Sequence, residues 1–308
     1  MPACSRESTR QGGIIVVKSP GRLQVVATPI GNLGDLSTRA REALESADLI
    51  AAEDTRHTLT LLQAIGVSKP LLSLHAYNET HRVPELLARL KAGENIVLVS
   101  DAGTPLLSDP GFELVRDAAR AGYQVEAIPG PSAITTALAV AGLPTARFCF
   151  EGFLPARERE RRGQLSRLAS ESRTLVFFEA PHRIAEMLAD LAAQLGGLRQ
   201  AVVARELTKV HETIYRGSLD ELAARAQDEP NFQRGEITVV VEGAPEVATD
   251  VDMRLLRHAV ELLSKELPPG RAAAIAAQLT GAKRSDAYAL VTRSVETRKD
   301  SEGEADAD

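Results

Sequence analysis

The chain has 308 residues, of which 44% are hydrophobic and 25% are charged, so it can bury a core and is not disordered throughout. No run approaches the roughly 18 uninterrupted apolar residues of a membrane-spanning helix, so no membrane partner is expected. Two cysteines, Cys4 and Cys149, cannot build a disulfide framework or a four-cysteine metal site, and residues 1–13 lack the apolar middle of a secretory signal. We therefore expect a cytosolic, cytoplasmic protein.

The formal net charge of −6 is concentrated at the end of the sequence, where the last nine residues hold five acids and no base. Without those five acids, the net charge is −1. We expect residues 294–308 to form a disordered acidic tail and residues 1–21 a flexible arm. A near-neutral body neither indicates nor excludes a nucleic-acid partner, because binding a polyanion requires only a local basic surface.

Residues 22–129 alternate short apolar runs with segments of helical spacing. The runs that predict strands are residues 23–28, 49–54, 71–74, 96–101 and 124–129. The segments that predict helices are residues 38–47, 56–65, 80–91 and 111–121. This alternation predicts an α/β domain with a mostly parallel sheet.

Residues 130–243 predict a second α/β domain of a different kind. Helical patterns occupy residues 132–141, 157–169, 181–195 and 218–226, and apolar runs begin at residues 148, 174, 200, 212 and 236. The last three runs have little helix between them, which predicts a mixed sheet with antiparallel pairs. Residues 243–252 have the composition of a linker, and residues 253–293 predict three short helices in a helix-turn-helix-like extension.

Several common catalytic motifs are missing from the sequence. It has no G-x-x-x-x-G-K-[ST], no G-x-G-x-x-G after the first strand, no G-x-S-x-G and no H-E-x-x-H. P-loop NTPases, standard dinucleotide-binding enzymes, serine hydrolases and zincins are therefore not supported. The six histidines show no metal-ligand spacing, so we interpret them as surface or structural residues and predict no metal.

Two turn-rich segments with small residues follow predicted strands. Residues 27–35 (ATPIGNLGD) form either a ligand-binding loop or a plain βα turn in which Asp35 or Ser37 caps the next helix. Residues 128–138 (IPGPSAITTAL) combine a turn with a helix cap at Ser132. The amino end of such a helix offers unpaired amides to a carboxylate or hydroxyl, although an interdomain connection with a good cap would have the same sequence.

Residues 99–111 (VSDAGTPLLSDPG) favour a functional interpretation. Asp101 ends an apolar run and is therefore expected at the carboxyl end of a strand, where open α/β sheets bind ligands. The alternative is a tight turn in which Ser108 or Asp109 caps a helix with Pro110 at its first position. Two turn-rich elements within this short segment are more than a simple connection needs.

Charged motifs also follow predicted strands. Residues 53–58 (EDTRHT), 177–183 (FFEAPHR) and 205–212 (RELTKVHE) place acids and bases at strand ends, either as salt-bridged networks or as a functional site. In the first motif, Arg56 would then meet an anion while an acid takes a proton. Gly235 in RGEITVVVEG would let a flat ring such as adenine lie against the backbone.

In chain order, seven motifs resemble one family. They are TPIGN, EDTR, SDAGTP, PGPSA, FEAPHR, RELTKxHE and GEIT. Together they resemble the tetrapyrrole-methylase fold family and, within it, the branch that methylates ribosomal RNA, over about residues 22–292. The order of the seven motifs carries this resemblance, since each one alone is weak.

The resemblance implies a homodimer of two-domain α/β subunits that bind the methyl donor S-adenosyl-L-methionine in a cleft between the domains. It also implies 2′-O-methylation of a decoding-centre cytidine in the 16S rRNA of the small ribosomal subunit. Carried over by position, the donor site comprises Pro29, Asp101, Ala102, Gly103, Ser132, Ala133, Gly235, Glu236 and Ile237.

A ribose hydroxyl is a poor nucleophile while protonated, so this chemistry needs a base. We expect Asp54 or Glu206 in that role, with Lys209 lowering the electrostatic cost of the developing alkoxide and Arg56 or Arg183 holding phosphates. Because methyl transfer from a sulfonium is an in-line displacement, positioning also contributes to the rate.

Basic residues outside these motifs predict the RNA surface. The candidates are Arg157, Arg159, Arg161 and Arg162 in one arginine-rich helix, and Lys283 and Arg284 in the helical extension. The alternative for the first group is a solvated helix with paired charges. Because the chain lacks Trp and is only 4% aromatic, phosphate and shape contacts are expected to outweigh base stacking.

Three other functions remain as alternatives. A methylase of a tetrapyrrole such as a corrin precursor would share the fold, but the EDTR motif and the helical extension argue against it. A non-catalytic ribosome-assembly factor would not bind the donor. A phosphatase or hydrolase built on residues 100–111 would need metal ligands that the sequence does not supply.

Overall fold

The computed structural model describes residues 10–11, 14–15, 20–245 and 253–292. It divides the chain into two compact units, Met1–Gly243 and Ala244–Asp308. The expected acidic tail, and most of the expected arm and linker, lie outside the described residues.

The first unit begins with a hairpin of β1 (Arg10–Gln11) and β2 (Ile14–Ile15), followed by a five-stranded sheet. The strands of this sheet are β3 (Arg22–Val26), β4 (Leu49–Ala52), β5 (Leu71–Ser73), β6 (Ile96–Val99) and β7 (Gln124–Ile128). The connecting helices are α1 (Thr38–Ser46), α2 (Thr55–Ala64), α3 (Glu79–Lys91) and α4 (Phe112–Arg120). All pairs in the order β5-β4-β6-β3-β7 are parallel, which confirms the predicted parallel sheet.

Helices cover both faces of this sheet, which is why its strands are apolar throughout. On one face, Leu23 and Leu98 pack against Leu86 of α3 and Leu114 of α4. On the other face, strand residues pack against α1 and α2, as Ile50 does. The strands end before the polar residues that follow them, so those residues are left in loops at the carboxyl edge.

Helix α4 is capped by a residue from another helix, and the predicted cap at Ser108 or Asp109 is wrong. The helix begins two residues after Pro110, and Glu79, which is only 8% exposed, supplies the acceptor. Its Oε1 accepts hydrogen bonds from the amides of Gly111 at 3.1 Å and Glu113 at 2.8 Å. A loop with its own turn structure therefore precedes the helix, and a carboxylate 34 residues upstream satisfies its open amides.

The second sheet of the first unit comprises β8 (Phe148–Phe153), β9 (Thr174–Glu179), β10 (Gln200–Arg205), β11 (Thr213–Ser218) and β12 (Ile237–Val241). The helices around it are α5 (Ala133–Ala141), α6 (Glu158–Leu168), α7 (Ile184–Leu195) and α8 (Leu219–Asp228). In the order β11-β10-β12-β9-β8, only β8 and β9 are parallel, so the predicted mixed sheet is confirmed. Strand β12 lies between β9 and β10, and α8 separates it in sequence from β11.

The two faces of the mixed sheet pack against different helices. Leu175 and Phe177 of β9 face a core that includes Leu188 of α7 and residues of α6 and α8. The opposite face packs against α5 and also against Ile30, which lies in the loop after β3. This contact places the loop after β3 beside the mixed sheet.

The second unit is helical and has its own core. Its helices are α9 (Met253–Glu266), α10 (Pro269–Thr280) and α11 (residues 284–292), as predicted. Leu256 and Val260 of α9 pack against Ala272 and Ala276 of α10 and against Val291. Among the described helices of both units, none is long and apolar enough to span a membrane.

Candidate functional site

A cavity of about 450 Å³ in the first unit lies at the carboxyl ends of β3, β4 and β6. The amino end of α5 and one end of the mixed sheet complete its wall. This volume is within the roughly 300–1,000 Å³ that is usual for small-molecule sites. The cavity lies where the sequence predicts ligand binding, because the carboxyl ends of parallel strands meet at one edge.

Eight of the nine residues predicted to hold the methyl donor line this cavity. They are Asp101, Ala102, Gly103, Ser132, Ala133, Gly235, Glu236 and Ile237. At the ninth position, Ile30 lines the wall instead of the adjacent Pro29. The structure thus brings together segments that are more than 130 residues apart in the sequence.

Hydrogen bonds between loops fix the wall formed by the parallel sheet. Thr28 and Gly103 exchange two backbone hydrogen bonds, with N···O distances of 2.9 and 3.1 Å. The Thr104 hydroxyl donates to the Pro131 carbonyl at 3.1 Å. Three loops are therefore joined before any ligand binds, so the wall is preorganised.

The amino end of α5 offers open amides to the cavity. The first backbone hydrogen bond of this helix runs from the Thr136 amide to the Ser132 carbonyl at 3.0 Å. Ser132 occupies the cap position, as predicted, but its side chain makes no capping hydrogen bond. The amides of Ala133 and Ile134 lack intrahelical partners, which favours a negatively charged group at this point.

Three acidic side chains line the cavity wall opposite that helix end in charge: Glu53, Asp101 and Asp109. Burial, together with the charges of Asp109 and Asp101, raises the pKa of Glu53 above its usual value. Burial and the charge of Asp101 likewise raise the pKa of Asp109, although a hydrogen bond with Ser100 opposes them. The cluster therefore favours a positive charge or a proton in the cavity.

Asp101 also holds His57 and the start of α2. Its Oδ1 accepts the Asp54 amide at 3.0 Å, and its Oδ2 lies 3.1 Å from His57 Nδ1. His57 is exposed, in agreement with its interpretation as a surface residue, but its pairing with a cavity residue was not predicted. Its single-letter context, between Arg and Thr at the start of a helix, gave no signal for this contact.

Asp54 and Arg56 form a pair at the start of α2. The Asp54 carboxylate caps the helix by accepting the Arg56 amide at 2.8 Å, and it also accepts the Arg56 Nε–H at 3.0 Å. These hydrogen bonds hold the pKa of Asp54 well below its usual value, which makes it a weak base. The Arg56 side chain is 89% exposed and can meet a phosphate from solvent.

Lys209 ties together the end of the cavity formed by residues 205–209 and 235–236. Its Nζ lies 2.9 Å from Glu206 Oε1 and 3.3 Å from Glu236 Oε1. Glu206 Oε1 also accepts the Glu236 amide at 2.9 Å. Gly235 has a φ of +76°, and a Cβ there would overlap the Glu206 carboxylate, so this close approach requires glycine.

Both members of the Glu206–Lys209 pair are charged. Burial would raise the pKa of Glu206, but the hydrogen bonds from Lys209 and from the Glu236 amide lower it overall. Burial would lower the pKa of Lys209, but its two carboxylate partners raise it overall. The pair therefore fixes two loops and places a cation beside the cavity residue Glu236.

Aromatic and acidic side chains line the end of the mixed sheet. The rings of Phe153 and Phe178 both line the cavity, with centroids 5.7 Å apart. Glu179 follows Phe178 as the last residue of β9, and its side chain is fully buried. Glu179 belongs to the FEAPHR motif, but the sequence gave no reason to single it out from its neighbours.

Arg161 does not belong to the predicted RNA surface. It is 2% exposed, and its Nε donates to the buried Asp190 at 2.7 Å. Its Nη1 donates to the Ala156 carbonyl at 3.2 Å. The guanidinium thus joins α6 to α7 inside the protein, so this prediction is corrected.

The other candidates for RNA contact have different environments. Arg157 and Arg159 are exposed on α6, and Arg162 is half exposed but pairs with Asp190 at 2.6 Å. Lys283 and Arg284 are exposed at the start of α11 in the second unit.

The predicted phosphate role of Arg183 is not supported by its contacts. Its Nη2 donates to the carbonyls of Leu154 at 2.7 Å and Pro155 at 3.1 Å, and its Nε lies 3.3 Å from Glu179 Oε1. Only 20% of the side chain is exposed. Arg183 therefore holds the loop after β8 against the end of β9.

Residues 22–223 match the family model described as tetrapyrrole (corrin/porphyrin) methylases. The chain belongs to this family. Residues 250–293 match a second model, described as the RsmI C-terminal HTH domain. The resemblance drawn from the seven motifs is thus confirmed, and membership makes the chain an S-adenosyl-L-methionine-dependent methyltransferase.

The chain is similar to ribosomal RNA small subunit methyltransferase I of two bacteria. It is 52% identical to that of Xylella fastidiosa (strain Temecula1) over 275 residues, covering 88% of this chain and 99% of the relative. It is 49% identical to that of Escherichia coli O157:H7 over 270 residues, covering 88% of this chain and 94% of the relative.

Solved structures at lower identity show the same fold. The methyltransferase CobJ is 20% identical, with a TM-score of 0.55 over 73% of this chain and 95% of its own. Uroporphyrin-III C-methyltransferase of Thermus thermophilus, solved with S-adenyl homocysteine, is 19% identical, with a TM-score of 0.52 over 72% and 97%. These neighbours support the two-sheet architecture of this methylase.

Proposed function

We propose that this methylase transfers a methyl group to the ribose 2′-hydroxyl of a decoding-centre cytidine in 16S rRNA, within the small ribosomal subunit. The observation that carries the proposal is the identity of about half with chains named ribosomal RNA small subunit methyltransferase I, over 88% of this chain. The choice of a ribose and of a decoding-centre cytidine comes from the resemblance of the seven motifs. The same resemblance leads us to propose a cytoplasmic homodimer, which sedimentation equilibrium would check.

The residues around the cavity fit S-adenosyl-L-methionine, which supplies an electrophilic methyl group when bound. The open amides at Ala133 and Ile134 suit a carboxylate. The acidic wall that includes Glu53 and Asp101 suits a cationic centre, and the turn formed by residues 101–103 offers polar groups to ribose hydroxyls. This fit supports the donor site at eight of its nine predicted positions.

We propose Glu53 as the group that takes the proton of the ribose hydroxyl. Glu53 lines the cavity, and burial beside Asp109 and Asp101 raises its pKa toward the working pH of a general base. The two acids predicted from sequence are weaker candidates, because Arg56 lowers the pKa of Asp54 and Lys209 lowers that of Glu206.

Lys209 and Arg56 contribute positive charge on two sides of this base. We propose that the Lys209 ammonium, held beside Glu236, stabilises the negative charge that develops on the ribose oxygen. The exposed Arg56 guanidinium is positioned to contact a phosphate of the RNA strand. Arg157, Arg159, Lys283 and Arg284 extend this set of proposed phosphate contacts.

The test is transfer of labelled methyl groups to purified small ribosomal subunits, followed by nuclease mapping of the product. A 2′-O-methylated cytidine in the decoding region is the expected product. Donor binding without transfer to this RNA would contradict the proposed substrate, and transfer to a corrin precursor would then identify a tetrapyrrole methylase.

Glu53→Gln tests the proposed base in the same assay. We expect kcat to fall by about 100-fold or more, with unchanged affinity for S-adenosylhomocysteine, because the amide cannot accept the proton. Glu42→Gln, on the exposed face of α1, is the matched control and should retain full turnover. A Glu53→Gln enzyme with normal kcat would remove Glu53 from the mechanism.

A further inference from the structure

Glu179 is a buried carboxyl group in the cavity wall that the proposed mechanism does not use. Its Oε1 is occupied, since it accepts the Ala180 amide at 2.8 Å and lies 3.3 Å from Arg183 Nε. Its Oε2 is buried and has no hydrogen-bond partner among the residues that the structure describes. One oxygen is thus fixed as an acceptor, and the other is open.

An unpaired carboxyl oxygen is costly inside a protein unless a ligand supplies the missing donor. Arg183 does not supply it, because its Nη2 donates to the carbonyls of Leu154 and Pro155. Glu179 lines the cavity itself, so a group bound there can reach the open oxygen. Burial also raises the pKa of Glu179 against the opposing effects of the Ala180 amide and Arg183.

The surroundings of Glu179 suit a flat ring. Phe178 precedes it, Phe153 lies beside Phe178, and Ile237 is its partner on the neighbouring strand β12. All three line the cavity, as does the backbone at Gly235. Aromatic and aliphatic walls with one acceptor oxygen match a nucleobase that carries an exocyclic amino group.

We propose that Glu179 is a specificity-determining residue whose Oε2 accepts a hydrogen bond from the exocyclic amino group of a nucleobase bound against Phe153 and Phe178. This inference rests on the proposed function, which brings two such bases to the enzyme. They are the adenine of the methyl donor and the cytosine of the target nucleotide, and both present the same N–H donor.

The Ala180 amide makes the effect of Glu179→Gln predictable. This amide requires an acceptor at the Oε1 position, so the glutamine carbonyl must lie there and its NH₂ group must replace Oε2. The side chain then donates where the carboxyl group accepted. Glu179→Gln should therefore prefer a base with a carbonyl oxygen in place of the amino group, whereas Glu179→Ala should show little preference.

The donor arm compares S-adenosylhomocysteine with S-inosylhomocysteine by calorimetry, since hypoxanthine carries a carbonyl where adenine carries the amino group. The RNA arm compares binding to small subunits with cytidine or uridine at the target position. In one arm we expect the full-length wild type to prefer the amino base by about 10-fold or more, and Glu179→Gln to prefer the other base. The arm in which the preference reverses identifies the base.

Glu151→Gln is the matched control, because Glu151 is a partly buried carboxylate on β8 of the same sheet and lies outside the cavity wall. It should leave both preferences unchanged. Ratios of affinities cancel a general loss of folded protein, so a purely structural role of Glu179 would move neither ratio. Unchanged preferences in Glu179→Gln, or an equal change in Glu151→Gln, would overturn the proposal.

Failure of the proposed function gives a different result. If the wild type did not methylate small-subunit RNA, the proposed substrate would be wrong, but both binding arms could still be measured. A reversed preference between the two homocysteine compounds would then still support Glu179 as the reader of an amino group.

Discussion

Arg159 and Arg161 lie two positions apart on α6 and have opposite environments. Arg159 is exposed, whereas the Arg161 guanidinium is buried against Asp190 and accepts no solvent. A buried ion pair depends on both partners, because removing one leaves the other charge with less compensation. The contribution of Arg161 therefore belongs to stability, and that of Arg159 is available for RNA.

We expect Arg161→Ala to lower the free energy of unfolding by about 3 kcal/mol, the lower end of the range for a broken buried pair, since Arg162 still faces Asp190. Urea denaturation would measure this loss. Arg159→Ala, the control on the same helix, should change stability by no more than about 0.5 kcal/mol. A stable Arg161→Ala variant with weakened RNA binding would restore the original prediction for Arg161.

The difference between these two arginines was not visible in the sequence. Both belong to one run of alternating charges, and only the packing of α6 on α7 decides which guanidinium meets Asp190. The donor-site residues were easier to predict, because motifs such as SDAGTP follow buried strands whose carboxyl ends must converge. The open oxygen of Glu179 was hidden for the reason that applies to Arg161: hydrogen-bond partners come from distant segments.

At the level of elements, Glu79 connects α3 to the amino end of α4. Its carboxylate accepts amides of Gly111 and Glu113, and it is mostly buried. The sequence predicted both helices and the Ser37 cap of α1, because that cap is local. It could not predict this cap, because the acceptor is 32 residues from Gly111 in the chain.

Glu79→Ala should destabilise the protein by about 2 kcal/mol, because the buried amides at the start of α4 would lose a charged acceptor. We also expect hydrogen exchange at the amide of Glu113 to accelerate about 10-fold or more. Denaturation and exchange measured by NMR would test both effects. Glu85→Ala, an exposed control on α3, should cost at most about 1 kcal/mol and leave exchange in α4 unchanged.

At the scale of the whole molecule, donor and RNA functions are assigned to residues with different locations. The donor cavity is lined by residues of the first unit, whereas Lys283 and Arg284 are exposed in the second unit, which has its own core. The sequence predicted this division from the linker composition of residues 243–252. The further division of the first unit between residues 129 and 130 stays a prediction.

Replacing Lys283 and Arg284 together by alanine should weaken binding to small subunits and reduce the slope of log affinity against log salt by between about 1 and 2. Affinity for S-adenosylhomocysteine should not change. Filter binding over a range of potassium chloride would measure the slope, with Lys91→Ala at the end of α3 as the control. An unchanged slope would exclude both residues from phosphate contact.

The position of β12 has a consequence for synthesis of the chain. The strand is the last of its sheet in sequence, yet it fills the gap between β9 and β10, which precede it. About 30 residues separate the end of β10 from Ile237, so at roughly 5–20 residues per second both neighbours wait about 2 to 6 s with an unpaired edge. A ribosome paused in codons 206–236 prolongs that exposure, whereas all five strands of the parallel sheet have already been made.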